Sequence, residues 1–529
     1  MIRAPLFYHH LLVRMLDGKV IFLRPNHSML QSAILLTAVD LLLRGITMLF
    51  QRWLAAVIGA AGLGLLQLIF TVGGFAMTLG LSGLRVTAMY LCAEEYGKGS
   101  VLGVRRAIVL CLKVGAIVSG VVGAAFFLLS DLAAARWIGD IRAAAALRVL
   151  AVFLPVNCLC AILSGFFTAC DRVKELAKVE TVERLAGLLL TAILLRFAGS
   201  DAASACAVMV LGSAVSCLGS LLYQLSMLQK TFRGLPAPKK DPTLASRLAK
   251  LCVPLALSAY LRSGLSTLEQ FLIPWGLARA GGEPETAMAA YGTIHAMVFP
   301  ILMFPAAILY TAADLLVPEL ARCRAASNTA RMHHLTGTCL RMGLLFALST
   351  GCLMGALSAG LGQLIYKSES CGRYLLVFSP AVPLLYMDAM VDGMLKGFGE
   401  QTACVRINVL TSVLDVALLY CFLPRFGVAA YVWVFYFTHA VNFVLSIRRL
   451  LLVCSYRPKL QFAAKAGFCA GASLLASCCI PDLGLLPAMV LRAGLYFSVL
   501  LLFLELTQTV QDADRRWLKR SLRLGLKGG

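Results

Sequence analysis

Asp40 and Arg44 stand four residues apart inside an apolar run, a spacing that puts a carboxylate and a guanidinium on one helical face. Arg52 follows two turns later, Arg85 sits in the next apolar run, and Arg262 and Glu269 share a face in a later one. An ionisable group in such a run costs roughly a few kcal/mol to place in hydrocarbon, so it faces protein or water. Arginine grips phosphate through two parallel hydrogen bonds. A wet cleft lined by Arg44, Arg52, Arg85 and Arg262, with Asp40 and Glu269 beside them, therefore suits an anionic headgroup. The plainer alternative is a structural Asp40–Arg44 pair, with Arg52, Lys113 and Arg148 reaching out to the interface.

A second constellation is acidic and falls late in the chain. Asp388, Asp392 and Lys396 recur every four residues along one stripe, and Asn408, Thr411 and Asp415 occupy the following run. Carboxylate, hydroxyl and amide oxygens are hard ligands able to hold Na⁺, and the carboxylates can exchange a proton. Coupling to Na⁺ or H⁺ is one reading; an Asp392–Lys396 ion pair near the cytoplasmic surface is the other. Gln67 and His295 form a third polar set, either facing each other across a cavity or hydrogen-bonded within ordinary interior.

The elements that position these groups are membrane helices. The chain has 529 residues, 60% hydrophobic and 14% charged, more apolar surface than a soluble domain can bury. A hydrocarbon core of about 30 Å takes roughly 20 apolar residues per helix. About fourteen continuous stretches meet that length, centred near 32–50, 64–90, 106–129, 145–169, 182–198, 203–228, 249–276, 288–317, 339–366, 374–398, 406–423, 427–447, 463–480 and 485–506. Their continuity excludes the alternating pattern of barrel strands. The fold expected is an all-α polytopic membrane protein.

An internal repeat organises these helices. An ungapped shift of 228 lays Ala61, Gly64, Pro155, Gly165 and Gly199 on Ala289, Gly292, Pro383, Gly393 and Gly427. Coincidence of backbone-shaping residues at one offset carries more weight than scattered Ala and Leu identities. The shift moves each segment by six helices, so both copies cross in the same sense and their symmetry axis runs along the membrane normal. The expected divisions are a cytoplasmic lead-in, 1–29; one six-helix lobe, 30–228; a cytoplasmic linker, 229–246; a second lobe, 247–448; two added helices, 449–507; and a basic amphipathic tail, 508–529. With the N-terminus inside, most of the 48 Lys and Arg fall on cytoplasmic connections, as the positive-inside rule requires. The net charge of +22 is then topology and attraction to anionic lipids, and needs no nucleic acid.

Several signals carry no chemistry. The 18 cysteines lie mostly inside apolar spans, without paired CxxC or clustered His, so no metal site and no cofactor is expected. The first thirty residues lack the apolar core of a cleavable signal. Gly59–Gly64 joins two membrane helices and is a tight turn, not a dinucleotide loop. Gly73, Gly74, Gly80, Gly83, Pro300 and Pro305 are candidates for kinks or close helix approach. No acidic catalytic cluster marks a long external loop, so an enzyme is not expected.

The segments DLLLRGITMLFQRWLAAVIGAAGLGLLQLIFTV, LSGLRVTAMYL, LPVNCLCAILSGFFTACDRV and YGTIHAMVFPILMFPAAILYTAADLLVPELA carry a resemblance in pattern and spacing. The chain resembles, from about residue 30 onward, the polysaccharide-transporter branch of the multidrug/oligosaccharidyl-lipid/polysaccharide (MATE/MOP) flippase superfamily, and within it the stage V sporulation protein B and lipid II flippase group. The resemblance implies a fourteen-helix bacterial flippase in the cell membrane, both termini cytoplasmic. Its substrate would be an undecaprenyl-diphosphate-linked sugar, lipid II of peptidoglycan synthesis or another polysaccharide precursor, with sporulation and vegetative roles both open. Its partners would be that lipid-linked oligosaccharide, the membrane lipids and cell-wall synthesis proteins. Arg44 matches the group's first-helix arginine, implied to meet the diphosphate; Thr47, Gln51 and Ala56 depart from its pattern. A cation site in the second half, on helices seven and eleven, is implied too, which bears on Asp415. A MATE-type drug or cation antiporter shares these lobes and is the alternative.

Overall fold

A computed structural model describes residues 28–170, 172–197, 202–234, 242–325, 328–456, 460–481 and 484–509. Regular structure among them is helical throughout. The first half contains α1 (Ser28–Leu81), α2 (Leu84–Gly97), α3 (Val101–Leu128), α4 (Ala144–Ala169), α5 (Val173–Leu194) and α6 (Ala202–Thr231). The second contains α7 (Pro242–Arg279), α8 (Pro284–Gly292), α9 (Ala306–Ala325), α10 (Thr329–Leu361), α11 (Glu369–Phe378), α12 (Val382–Gly397) and α13 (Gln401–Cys454). Two further helices follow, α14 (Leu460–Cys478) and α15 (Leu485–Leu506), which pack on each other and on α10. The lead-in up to residue 27 and the tail from 510 lie outside the described residues, as does the core of the linker, 235–241. Apart from a turn at 232–234, the rest of that linker is helical: α6 runs to Thr231 and α7 opens at Pro242, a favourable first-turn residue.

Among the described residues ten helical stretches are long and apolar enough to cross a bilayer. Ten and the expected fourteen differ because α1 and α13, each counted once, hold two expected stretches apiece, and because α5 and α14, over the stretches expected at 182–198 and 463–480, are not among the ten. The 54-residue α1 and α13 are each two helices, broken at Gly59 (φ 70°, ψ 179°) and Gly427 (φ 57°, ψ −138°), backbone states that glycine reaches without a Cβ clash. The stretch expected over 64–90 breaks at Ser82 and Gly83, both at positive φ, so of the candidate hinge glycines Gly83 is the one that turns the chain. The stretch expected over 288–317 passes through a π-turn at Thr293–Val298 and a break at Phe304 and Pro305. Pro305 cannot donate to the preceding turn, and the helix restarts at Ala306.

The 228-residue offset is written into the element boundaries. Val101 and Thr329 open α3 and α10, Val173 and Gln401 open α5 and α13, and Ala169 and Gly397 close α4 and α12, each pair 228 apart. Even the π-turns coincide, Ala134–Ile138 with Gly362–Tyr366, each followed by a left-handed residue, Gly139 and Lys367. Where the halves meet, the contact is reciprocal. A Cβ on Gly64 would lie 2.5 Å from the Met288 carbonyl oxygen, and one on Gly292 would overlap that of Ala60. Ala60 and Met288 are themselves one offset apart, so each half presents the same patch to the other, as an isologous two-fold contact requires. Only glycine permits this backbone-to-backbone approach.

Candidate functional site

Arg44 is half-buried on α1 and carries interactions with its surroundings; Tyr310, on α9, lies within electrostatic reach of both Arg44 and Asp388 of α12. A first-half arginine is thus set against second-half polar groups at the junction of the bundles. Asp40 is helical, but its side chain lies outside the described set, so the Asp40–Arg44 pair has no geometry to report. The other arginines have their own surroundings. Arg85 is exposed and within reach of Glu180 on α5, while its own carbonyl packs on Gly165. Arg262 is exposed on α7, one residue before Ser263, whose hydroxyl donates to Thr78 Oγ1 at 3.2 Å. Arg52, half-buried, lines a separate cavity with Trp53, Tyr366 and Lys367.

The acidic constellation forms a chain of hydrogen bonds through the second bundle. Asn442 on α13 donates to Asp388 Oδ2 at 2.8 Å and accepts from Thr411 at 3.0 Å. Asn408 donates to Asp392 Oδ2 at 3.5 Å, and Lys396 stands 3.9 Å from the same oxygen. The Asp392–Lys396 pair expected from spacing is therefore present, and Asp392 is held by Asn408 as well. Deeper in, the buried Asp415 accepts from the Thr438 hydroxyl at 2.8 Å. Glu269 of α7 lies close enough to Asp415 for the two carboxylates to act on each other. The structure thus groups Glu269 with the acidic set.

Two carboxylates facing each other in a buried site need a proton or a cation between them, since like charges in low dielectric repel strongly. Asp388 Oδ1 and Asp392 Oδ1 are buried without a hydrogen-bond partner among the described residues. Oxygen donors with spare capacity fit a hard monovalent ion or a proton. Among the described residues no cluster of three His, Cys, Asp or Glu side chains has the disposition of a transition-metal site.

His295 does not pair with Gln67. Its Nε2 lies 3.1 Å from the Tyr431 hydroxyl, and its ring packs 4.7 Å from that of Tyr291, which donates to Gln270 at 2.6 Å. Symmetry put the two residues at equivalent positions, but aromatic partners on α8 and α13 claim the imidazole first. Thr438, Asn442, Tyr310 and Tyr431 were missed from the sequence. Thr438 and Asn442 do carry a signal, four residues apart on one helical face; the tyrosines read as ordinary core.

The opposite end of the bundle junction is closed by α2 against α7. Glu94 accepts from Arg247, whose other guanidinium nitrogen lies 3.8 Å from Glu95, and Lys98 bonds Glu94 at 2.8 Å. Ser82 and Tyr260 share a hydroxyl contact one stage further in, and Cys252 donates to the Ser82 carbonyl at 2.6 Å.

A two-bundle, all-helical polytopic architecture with charged groups at its junction is that of a membrane transporter. The family described as Polysaccharide biosynthesis protein matches residues 29–308, more than half the chain, and a second, described as MatE, matches 265–421. The chain belongs to the polysaccharide biosynthesis family of this transporter superfamily, whose members are not enzymes. It is 20% identical over 409 residues to stage V sporulation protein B of Bacillus subtilis, covering 76% of this chain and 79% of that protein. Among solved structures it superposes on the lipid II flippase MurJ in its inward closed conformation with a TM-score of 0.70, at 11% identity, over 90% of this chain and 98% of the other. An inward-facing multidrug resistance MATE transporter gives 0.59, at 16% identity, over 80% and 98%. At such identities these superpositions define the fold alone.

Proposed function

We propose that the protein flips an undecaprenyl-diphosphate-linked glycan precursor, most specifically lipid II, across the cell membrane by alternating access. Fourteen crossings, two pseudo-symmetric six-helix lobes and cytoplasmic termini complete the arrangement. The observation that carries the reading is Arg44, half-buried on α1 and within electrostatic reach of Tyr310 of the other half. A guanidinium there neutralises a diphosphate that would otherwise pay the cost of charge in hydrocarbon. Membership of the polysaccharide biosynthesis family supports it, as does the likeness to a protein named for lipid II flipping.

The headgroup enters sideways from the inner leaflet when the α2–α7 clamp is open, while the prenyl tail stays in lipid. Arg44 and Arg262, with Arg85 and Arg52 along the path, meet the phosphates as the bundles rock about the Gly64–Gly292 contact. Na⁺ or H⁺ at Glu269, Asp415 and Thr438 would supply the coupling, neutralising paired carboxylates in one state and leaving in the other. No bond is made or broken. Arg44→Ala with Arg262→Ala is expected to lower the flipping of fluorescent undecaprenyl-diphosphate glycan in reconstituted vesicles by at least about 100-fold, two charge-assisted contacts being lost. Wild-type rates would remove the clamp.

The carboxylates of the second bundle favour one other reading, a cation antiporter of the same superfamily. Exchange of an organic cation for H⁺ or Na⁺ by the same vesicles, abolished by Asp415→Asn and indifferent to Arg44→Ala, would select it.

A further inference from the structure

We propose that a cavity opposite the Glu94–Arg247 clamp, built around Arg52 and Lys367, is a second anion site that receives the diphosphate and its first sugar before release. It rests on the flippase reading and adds a station to it. The cavity measures about 520 Å³, within the range of small-molecule sites of roughly 300–1,000 Å³. It lies beside Ala60 and Met297, at the edge of the two-fold contact, so both bundles contribute walls.

Its chemistry is suited to a phosphorylated sugar. Arg52 and Lys367 line it, no carboxylate does, and neither cation has an ion-pair partner among the described residues. Glu369, the nearest acidic residue in sequence, is exposed in the first turn of α11. Ser368, which caps that helix by accepting from the Cys371 N–H at 3.2 Å, also lines the cavity, so the positive end of the α11 dipole points the same way. Trp53 supplies an aromatic face, part of it open at 41% exposure. Gln51 and Tyr366 bond across the junction at 3.4 Å and tie the two walls together.

One comparison within the chain bears on Lys367. The 228-residue offset carries Lys367 and Ser368 onto Gly139 and Asp140, which close and follow the matching π-turn, so the other half builds that turn without the cation. Arg52 and Trp53 are helical, whereas their offset positions, Ala280 and Gly281, form the turn after α7. Lys367 moreover holds φ 52°, the left-handed state closing its π-turn, where the other half uses Gly139 at φ 82°. A non-glycine residue there is strained, because its Cβ crowds the following carbonyl oxygen. Strain retained at a cavity wall points to a side chain kept for what it binds.

Inorganic pyrophosphate titrated calorimetrically into the full-length protein in detergent tests the site. Arg44→Gln should retain one class of binding that Arg52→Gln and Lys367→Gln each weaken about tenfold. Lys367→Gly separates binding from structure: relief of the positive φ should leave the thermal midpoint unchanged or higher while pyrophosphate binding falls. Wild-type binding by Arg52→Gln and Lys367→Gly would overturn the outer site; if Arg44→Gln alone then lost binding, the central clamp would stand without it. In nanodiscs, undecaprenyl diphosphate should displace pyrophosphate from the Arg44→Gln protein and phosphatidylglycerol should not. Equal displacement by phosphatidylglycerol would assign the cavity to bulk anionic lipid and sink the release station.

Discussion

The first bundle is hollow where the second is packed. A cavity of about 560 Å³ opens among α1, α4, α5 and α6, lined by Gly73, Gly74, Leu150, Gly187, Val210 and Ala214. One offset on, those positions are Ile301, Leu302, Phe378, Asp415, Thr438 and Asn442. The rings of Phe299, Phe378, Tyr431 and Phe435 fill the second bundle, with Phe299–Phe378 centroids at 5.6 Å and Phe378–Phe435 at 5.3 Å. Their counterparts are Thr71, Leu150, Ala203 and Ala207. One backbone plan has been given two interiors, one rich in small residues and open, the other aromatic, acidic and hydrogen-bonded. Two-fold symmetry of the scaffold therefore does not extend to its chemistry: the acidic, hydrogen-bonded set of the second bundle falls on small residues in the first.

Asp415→Ala should expose the largest difference. It removes one of two opposed carboxylates and the charged hydrogen bond from Thr438, whose hydroxyl keeps the Val434 carbonyl at 2.9 Å, a loss of roughly 1.5–3 kcal/mol. Flipping in vesicles under an Na⁺ or H⁺ gradient is expected to fall about tenfold to 100-fold. Gly187→Ala, at the equivalent place in the first bundle, needs only a small shift of the Ser216 hydroxyl 2.9 Å away, and should leave gradient dependence intact. Equal effects of the two changes would mean that the coupling ion is not confined to the second bundle.

Packing gives the next contrast. Leu302 is fully buried, and Leu302→Ala should destabilise the protein by about 2–5 kcal/mol through lost contacts and a residual void. At the equivalent Gly74 an added Cβ would meet no atom within 4 Å, so Gly74→Ala should stabilise by up to about 1 kcal/mol through helix propensity. Thermal unfolding in detergent reads both. A destabilising Gly74→Ala would show the first cavity to be tighter than its walls suggest.

Backbone-shaping residues made the scaffold legible in the sequence. Gly427 acts through φ and ψ, Pro155 and Pro383 through a lost donor, and Gly64 and Gly292 through the close approach that a missing Cβ allows, all properties of residue type, and the element boundaries repeat at the offset they gave. The sites were legible only in part. Asp388, Asp392, Asn408 and Thr411 share neighbouring helices, so spacing grouped them. Glu269 and Asp415 belong to helices distant in sequence, and only packing of α7 on α13 brings them together. The arginines were legible only as expensive charges: apolar context identifies such a charge but not the direction it faces, and Arg44 and Arg85 have different neighbours. The hollow of the first bundle left no motif, because it is an absence of side-chain volume spread over four helices.

The smallest expected effect is at the clamp between bundles, where the contrast meets water. Hydrogen bonding from Lys98, reinforced by Arg247, holds the Glu94 carboxyl below its ordinary value of 4.5, against the opposing effect of partial burial. A depressed carboxyl contributes stability that is fully present above its unfolded value and is lost as pH falls through the folded one. The clamp should therefore be intact at neutral pH and loosen under acid, below about pH 4.5. Being exposed, these pairs contribute little each, about 0–1 kcal/mol. Glu94→Gln should mimic acid at neutral pH, raising thiol labelling of Cys252, which is buried against Ser82 behind the clamp. Labelling unchanged by both acid and Glu94→Gln would show that the Ser82–Tyr260 contact, not the charges, keeps this end closed.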